Sequence, residues 1–211
     1  SQFHNGLRIT DLEQLSLVQA TVGRQAMQLE ARFSMGLANS PMQGSRIRTS
    51  RGNFITARPI GVKNGVDFSY TGEVRRVDSE AIGKQLNDGN LVLISCLGYS
   101  PTGETFNLAA AQVAGRVAAS LQADKLIVFG ADKGITNSRG EQVIELLTRA
   151  GHRLVHQHQS SEDSWTDLSM HIDVLSKACD AGVARGHLLS YQEDGALLSE
   201  LFSRDGSGTM V

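Results

Sequence analysis

The residues with the most chemistry to offer lie near the C-terminus, in residues 187–211, HLLSYQEDGALLSELFSRDGSGTMV. His187 brings an imidazole and Glu200 a carboxylate. Gly206 and Gly208, one residue apart, bring main-chain N–H groups that no side chain screens. Glycines at that spacing let backbone groups approach an anion, or let the chain turn tightly with positive φ. A carboxylate, an imidazole and free backbone groups gathered in one place suit a zwitterionic ligand carrying a cationic tail. The same residues equally suit a plain strand–helix–loop–strand unit with a glycine-rich turn, and spacing alone leaves both readings open.

The elements that must position these groups are short. His187-Leu188-Leu189 is an apolar run long enough for a buried strand. Gln192-Glu193-Asp194-Gly195 breaks it, and residues 196–202 then place Leu197, Leu198, Leu201 and Phe202 on one face of a short helix. Residues 203–208 stop that helix, and Thr209-Met210-Val211 begins another extended run.

At 211 residues the chain can hold a substantial domain with a real core. A net charge of −2 gives no electrostatic footprint for nucleic acid or an anionic membrane surface. No apolar run approaches the roughly 20 residues that span a bilayer, and no signal-peptide pattern is present. Cys96 and Cys179, without CxxC spacing, point to small buried thiols rather than a zinc site or disulfide scaffold. A reduced, cytoplasmic setting is expected. His152, His156 and His158 invite a metal reading, but they have no acidic or cysteine partners in a structured frame. Residues 152–167 read instead as a mobile polar surface loop, and no metal or cofactor is expected for this chain.

Taken in order, Thr10 and Glu13 form a capping box that starts a helix. Its buried face is marked by Leu12, Leu15, Val18 and Val22, and Gly23 interrupts it. A second helical stretch, 25–37, buries Ala26, Leu29, Phe33 and Leu37 before Asn39-Ser40-Pro41 ends it. Residues 46–77 switch to short strands, with Asn64-Gly65 as a hairpin signal. Asp78 caps a short helix. Residues 91–94 are apolar without alternation, as expected of a parallel strand covered on both faces. A helix over 108–121 leads to a second buried strand at 126–129, which makes a βαβ unit of residues 91–129. A helix over 168–181 feeds the strand at His187. The fold class expected is α/β, a mainly parallel central sheet sandwiched by helices, with a β-hairpin excursion.

The C-terminal segment resembles the signature of the acetylglutamate branch of the amino-acid kinase family. There a His-hydrophobic strand, a Gly turn, a Glu-Leu-Phe helix and a G-x-G-T loop follow one another. The likeness runs from about Leu7 to Val211. The Tyr191-Gln192-Glu193-Asp194-Gly195 turn and the Phe202-Ser203-Arg204-Asp205-Gly206 run are similar to the acetyl-transferring bacterial members of that branch. The resemblance implies an amino-acid-kinase-like domain whose N-terminal strands are missing, placed ahead of an acetyltransferase domain that is absent here. It implies that the parent moves acetyl from acetyl-CoA to the α-amine of L-glutamate in the first step of arginine biosynthesis, and that it assembles as a homo-oligomer. It also implies an allosteric L-arginine site at His187, Glu200, Gly206 and Gly208.

The rival implied by the same resemblance is an acylamino-acid kinase that moves phosphate from ATP. Its acyl-amino-acid side is represented by Arg8, matching an arginine that pairs with a substrate α-carboxylate, and by Asn107, matching an asparagine that holds the N-acyl group. Asn107 could instead cap the helix that follows, and Arg8 could form a surface ion pair. The phosphoryl side is not represented. Ala111 stands where the kinases carry an organising aspartate, Gly130-Ala131 where they carry Thr-Asp, and His171 where they carry a lysine; the lysine-bearing phosphate loop is missing. Phosphoryl transfer needs cations and oriented amides around the moving group, which a methyl cannot replace. The reading is a vestigial acylamino-acid site and no catalytic residue.

Overall fold

Two aspartates punctuate the first half of the chain. The computed structural model describes residues 2–4, 6–132, 134–137, 139–159, 167–203 and 207–211, the side chains of 158 and 159 excepted. In it, Asp11 Oδ1 accepts from the Gln14 amide at 2.8 Å and starts helix α1 (Leu12–Phe33). Asp78 Oδ1 accepts from the Ala81 amide at 3.1 Å and starts α2 (Ser79–Asn87). Each carboxylate satisfies one of the amides that a helix N-terminus leaves unpaired.

The chain divides into two compact units, Ser1–Val113 and Ala114–Val211. In the first, β1 (Gln2–His4) and β2 (Leu7–Ile9) form an antiparallel pair ahead of α1. A four-stranded sheet is built from β4 (Ile55–Pro59), β7 (Gly72–Val77), β9 (Leu97–Tyr99) and β10 (Thr105–Asn107), in the order β10-β9-β4-β7. Ile55, Ala57, Phe68, Ile82, Leu97 and Phe106 are buried in this unit. Short β3 (Thr49–Ser50) pairs parallel with β8 (Leu91–Val92). Between β5 (Val62–Lys63) and β6 (Val66–Asp67), Asn64 and Gly65 have φ of 53° and 77°, the left-handed pair a two-residue hairpin turn demands.

Helix α3 (Ala110–Leu121) spans the boundary in sequence. The second unit is organised on β11 (Lys125–Gly130) and β14 (Arg185–Ser190), which pair in parallel over six positions, with β15 (Thr209–Met210) antiparallel to β14. The crossover between the parallel strands runs through the small hairpin β12 (Ile135–Thr136) and β13 (Gln142–Val143), then α4 (Thr148–Gln159) and α5 (Asp167–Asp180). Helix α5 buries Met170, Ile172, Val174, Leu175 and Ala178, the heart of this unit's core with Leu188 and Leu189. A last helix, α6 (Ala196–Phe202), stands between β14 and β15.

The α/β class and the hairpin excursion are as expected, with the pairing mixed rather than parallel throughout. Several local expectations are overturned. Helix α1 passes through Gly23 without a break, and nothing lies within 4 Å of where a Cβ would sit there. Its cap is Asp11, because Thr10 is fully buried with its hydroxyl committed elsewhere. Leu12, Leu29 and Leu37 are exposed rather than buried. Residues 91–94 give only the two half-buried residues of β8, and β8 and β11 lie in separate sheets. The longest parallel pairing described is instead the six-position one between β11 and β14. Residues 152–159, expected as the start of a loop, belong to α4, while 160–166 lie outside the described residues.

The largest departure is in α6. An amphipathic helix ordinarily turns its apolar stripe inward. Here Leu197, Leu198, Leu201 and Phe202 are exposed, Phe202 to 82%, and the buried positions are Ala196 and, one turn on, the Glu200 side chain at 11%. This inversion has an energetic signature. Replacing Leu189, which is fully buried, by alanine should destabilise the chain by about 3 kcal/mol. Replacing Leu198 on the outer face of α6 should change it by no more than about 0.5 kcal/mol. Urea unfolding of the two variants against the parent chain checks both figures.

Candidate functional site

Strand β14 is buried from Gly186 to Ser190, and His187 lies within it between register partners Ile127 on β11 and Met210 on β15. An imidazole 6% exposed cannot rely on water, and it takes its partner from α6. His187 Nδ1 and Glu200 Oε1 are 2.6 Å apart. Gly195, with φ of 75°, opens α6 in the left-handed conformation that its lack of a Cβ makes inexpensive. Residues four apart share a helix face, so burying Ala196 carries Glu200 inward with it.

The other carboxylate oxygen is also engaged. Glu200 Oε2 accepts from the Ser207 amide at 2.8 Å, and the nearby Gly208 N–H favours the charged carboxylate. Burial by itself would raise the Glu200 carboxyl. The Ser207 N–H, the His187 ring and the Gly208 N–H together outweigh burial and hold it below the ordinary carboxylate range. Ser207 is pinned further, its hydroxyl donating to Ala196 O at 2.9 Å and its carbonyl accepting from Gln142 Nε2 at 3.3 Å. Gly208 packs onto the Leu188 carbonyl and the Leu189 side chain with no room for a Cβ. Thr209, fully buried, accepts from the Ile135 amide at 2.9 Å and donates to Val143 O at 2.7 Å, tying the β12–β13 hairpin to the end of the chain.

His187, Glu200 and Gly208 are thus brought together as their spacing suggested, while Gly206 lies outside the described residues. The expectation of free backbone groups is corrected. The Ser207 amide is spent on Glu200, and Gly208 is a glycine because β14 leaves no space beside it. Sequence reading passed over Ser207, Thr209 and Gln142. A hydroxyl between two glycines and a threonine opening the last strand were the available signals. One polar atom of the cluster remains unmatched: His187 Nε2 is buried with no hydrogen-bond partner.

In the first unit the expected acylamino-acid residues fare differently. Asn107 lies in β10, not at the start of α3, and its Nδ2 donates to Thr10 Oγ1 at 3.0 Å. The Thr71 hydroxyl accepts from the Thr10 amide at 3.0 Å and donates to Arg8 O at 2.6 Å. The Arg8 main chain therefore joins this network, but its guanidinium does not; it is exposed and stacks on Phe3 at 5.2 Å from the ring centre. The surface ion pair considered for Arg8 is replaced by this cation–π contact.

At the end of β11, Gly130 admits His171 of α5, whose Nδ1 lies 3.3 Å from where a Cβ would be. Two positions read as lost phosphoryl-transfer contacts are thus neighbours. Burial lowers the His171 pKa, opposed by Asp167 and Asp132. His152 pairs with Asp180 at 2.6 Å on an exposed surface, and no metal-binding cluster occurs among the described residues. Both cysteines are half-buried, with thiols pushed up by burial, which keeps them in the unreactive form. No described helix is long and apolar enough to cross a membrane.

The profile of the amino acid kinase family matches residues 1–189, and the chain belongs to that family. Over 210 residues it is 51% identical to the amino-acid acetyltransferase of Azotobacter vinelandii (strain DJ), covering 100% of this chain and 48% of that protein. Over 209 residues it is 52% identical to the amino-acid acetyltransferase of Pseudomonas fluorescens (strain Pf-5), covering 99% and 47%. The chain spans about half the length of the curated relatives it matches. A crystal structure of N-acetylglutamate synthase from Neisseria gonorrhoeae, complexed with coenzyme A and L-arginine, matches with a TM-score of 0.89 at 35% identity over 99% of this chain and 48% of that one. The structure of smu.665 from Streptococcus mutans, at a TM-score of 0.73 and 20% identity over 99% of this chain and 76% of that one, shares the fold.

Two outcomes follow from the cluster. Thr209→Val strands the Ile135 amide and the Val143 carbonyl, and should cost about 2 kcal/mol in chemical unfolding. A carboxyl whose folded-state pKa is depressed contributes stability above its unfolded value and loses it as pH falls through the folded one. The melting temperature of the parent chain should therefore exceed that of Glu200→Gln at pH 7, and the gap should close below about pH 4. Thermal melts of the two proteins across that range provide the check.

Proposed function

We propose that this chain is the arginine-sensing regulatory domain of an N-acetylglutamate synthase. On this reading the longer enzyme transfers acetyl from acetyl-CoA to L-glutamate, and this part supplies the allosteric signal. The observation that carries the reading is the buried cluster of β14, α6 and the 207–209 segment, with the unmatched His187 Nε2 at its centre. Its support is the family membership together with the likeness to a synthase crystallised with L-arginine. His187, Glu200 and Gly208 form the arginine site, with Gly206 assigned to it from the sequence.

The absent phosphoryl chemistry agrees with this. Ala111 offers a methyl where an organising carboxylate is needed, and Gly130 and Ala131 offer no side chain to a nucleotide. At these positions a kinase reading finds no side chain to carry the developing charge of the transferred group. Regulation then acts through differential affinity. Arginine favours whichever arrangement of the longer enzyme fits the cluster in its bound form, and a ligand indifferent to the two arrangements would shift nothing. Homo-oligomeric assembly and a cytoplasmic setting belong to the same proposal.

Calorimetry of the 211-residue chain with L-arginine tests it. Saturable heats are expected, weakened at least tenfold by His187→Phe, with no heat from L-glutamate. Equal heats for the parent and the variant would remove the β14–α6 cluster as the arginine site.

A further inference from the structure

Resting on the reading that this chain is one part of a longer enzyme, we infer that the polypeptide joining it to the catalytic part continues β15 as an ordered strand. It is seated in a cleft beside Val211 instead of leaving as a free linker. The cleft has a volume of about 580 Å3 and lies within the second unit. Leu146, Leu147, Cys179, Val183, Met210 and Val211 line it. Leu147 is 72% exposed there, an apolar wall for the side chains of an incoming strand.

Two ladders hold the last residues from opposite sides. On one, Met210 pairs with His187, and Val211 exchanges both main-chain hydrogen bonds with Gly186, at 2.7 and 2.9 Å. On the other, the Met210 N–H donates to Ile144 O and the Met210 carbonyl accepts from the Leu146 N–H, each at 2.8 Å, in a parallel bridge to Glu145. In a parallel ladder such bonds recur every second residue. The next donor the ladder calls for is therefore the N–H directly after Val211, and the acceptor facing it is Leu146 O. The carbonyl of that same residue faces the Thr148 amide, which opens α4 and so has no partner within the helix. The antiparallel register brings the residue beside Arg185, the first of β14.

Direction and length choose the occupant. A continuation of β15 arrives already aligned between its two neighbours, whereas a strand from another molecule must give up its translational and rotational freedom to enter. The chain spans about half the length of the curated relatives it matches, which leaves polypeptide to fill the cleft. Thr209 ties β15 to the β12–β13 hairpin, so an anchored exit makes the placement of the catalytic part depend on β15. A flexible linker would transmit no such dependence.

Hydrogen exchange of the 211-residue chain and of the longer enzyme tests this. The Thr148 amide should exchange about tenfold or more slowly in the longer enzyme than in the 211-residue chain, and the N–H after Val211 should be protected with it. Proline placed directly after Val211 in the longer enzyme suits the extended backbone before it but removes the donor to Leu146 O. It should return Thr148 to the rate seen in the 211-residue chain.

Equal exchange in the two proteins overturns the inference. So does protection that survives the proline, which marks a domain lying over the cleft without a strand in it. Protection in the 211-residue chain that grows with its concentration also overturns it, in favour of a second copy. Arginine calorimetry on the same proteins separates the two readings. Proline-sensitive protection without arginine heats leaves the strand standing while the sensor falls, and arginine heats without protection do the reverse.

Discussion

The second unit depends on one buried hydrogen bond, His187 to Glu200. Taking a carboxylate and an imidazole out of water is expensive, and their mutual attraction repays the cost only when the remaining polar atoms are satisfied as well. Here the repayment comes from the main chain. The Ser207 amide turns to the carboxylate and its hydroxyl to the Ala196 carbonyl, which fixes residues 207–209 against α6. The glycine at 208 and the threonine at 209 follow from it, one because β14 crowds the backbone, the other because its hydroxyl closes two main-chain bonds of the β12–β13 hairpin.

The contact also explains why α6 is built inside out. A seven-residue helix has too little length to satisfy both a buried carboxylate and a buried leucine stripe on opposite faces. Turning Glu200 inward places Leu198 and Phe202 outward. The imidazole–carboxylate bond fixes the rotation of the helix, and the apolar side chains take what remains. Hydrophobic periodicity measures where greasy residues fall around an axis, but not which way that axis is turned when a specific polar bond competes.

The first unit tells a parallel story with hydroxyls in place of charges. Thr10, Thr71 and Asn107 link β2, β7 and β10 through side-chain bonds between residues 61 and 97 positions apart. That network engages the Asn107 amide and the Arg8 carbonyl, while the Arg8 guanidinium stacks on Phe3. The amino acid kinase family fold is retained here, and Ala111, Gly130 and Ala131 place no charged side chain at their positions.

Much of the architecture was legible in the residues because its causes are local. Asp78 could be read as a cap, Asn64-Gly65 as a hairpin turn and residues 196–202 as a helix, since each depends on atoms a few positions apart. His187, Glu200 and Gly208 could be named as a cluster from their types and from the family likeness. The break expected at Gly23 and the loop expected over 152–159 failed: one glycine costs a helix interior only about 1 kcal/mol, which the 22 residues of α1 absorb, and 152–159 continue α4. What only the tertiary structure decided was the pairing itself: that the carboxylate faces Nδ1, that the Ser207 amide is spent on it, and that Nε2 is left without a partner. Those facts depend on strands and a helix meeting at hydrogen-bonding distance, and residue types and spacing along the chain do not specify which atoms meet.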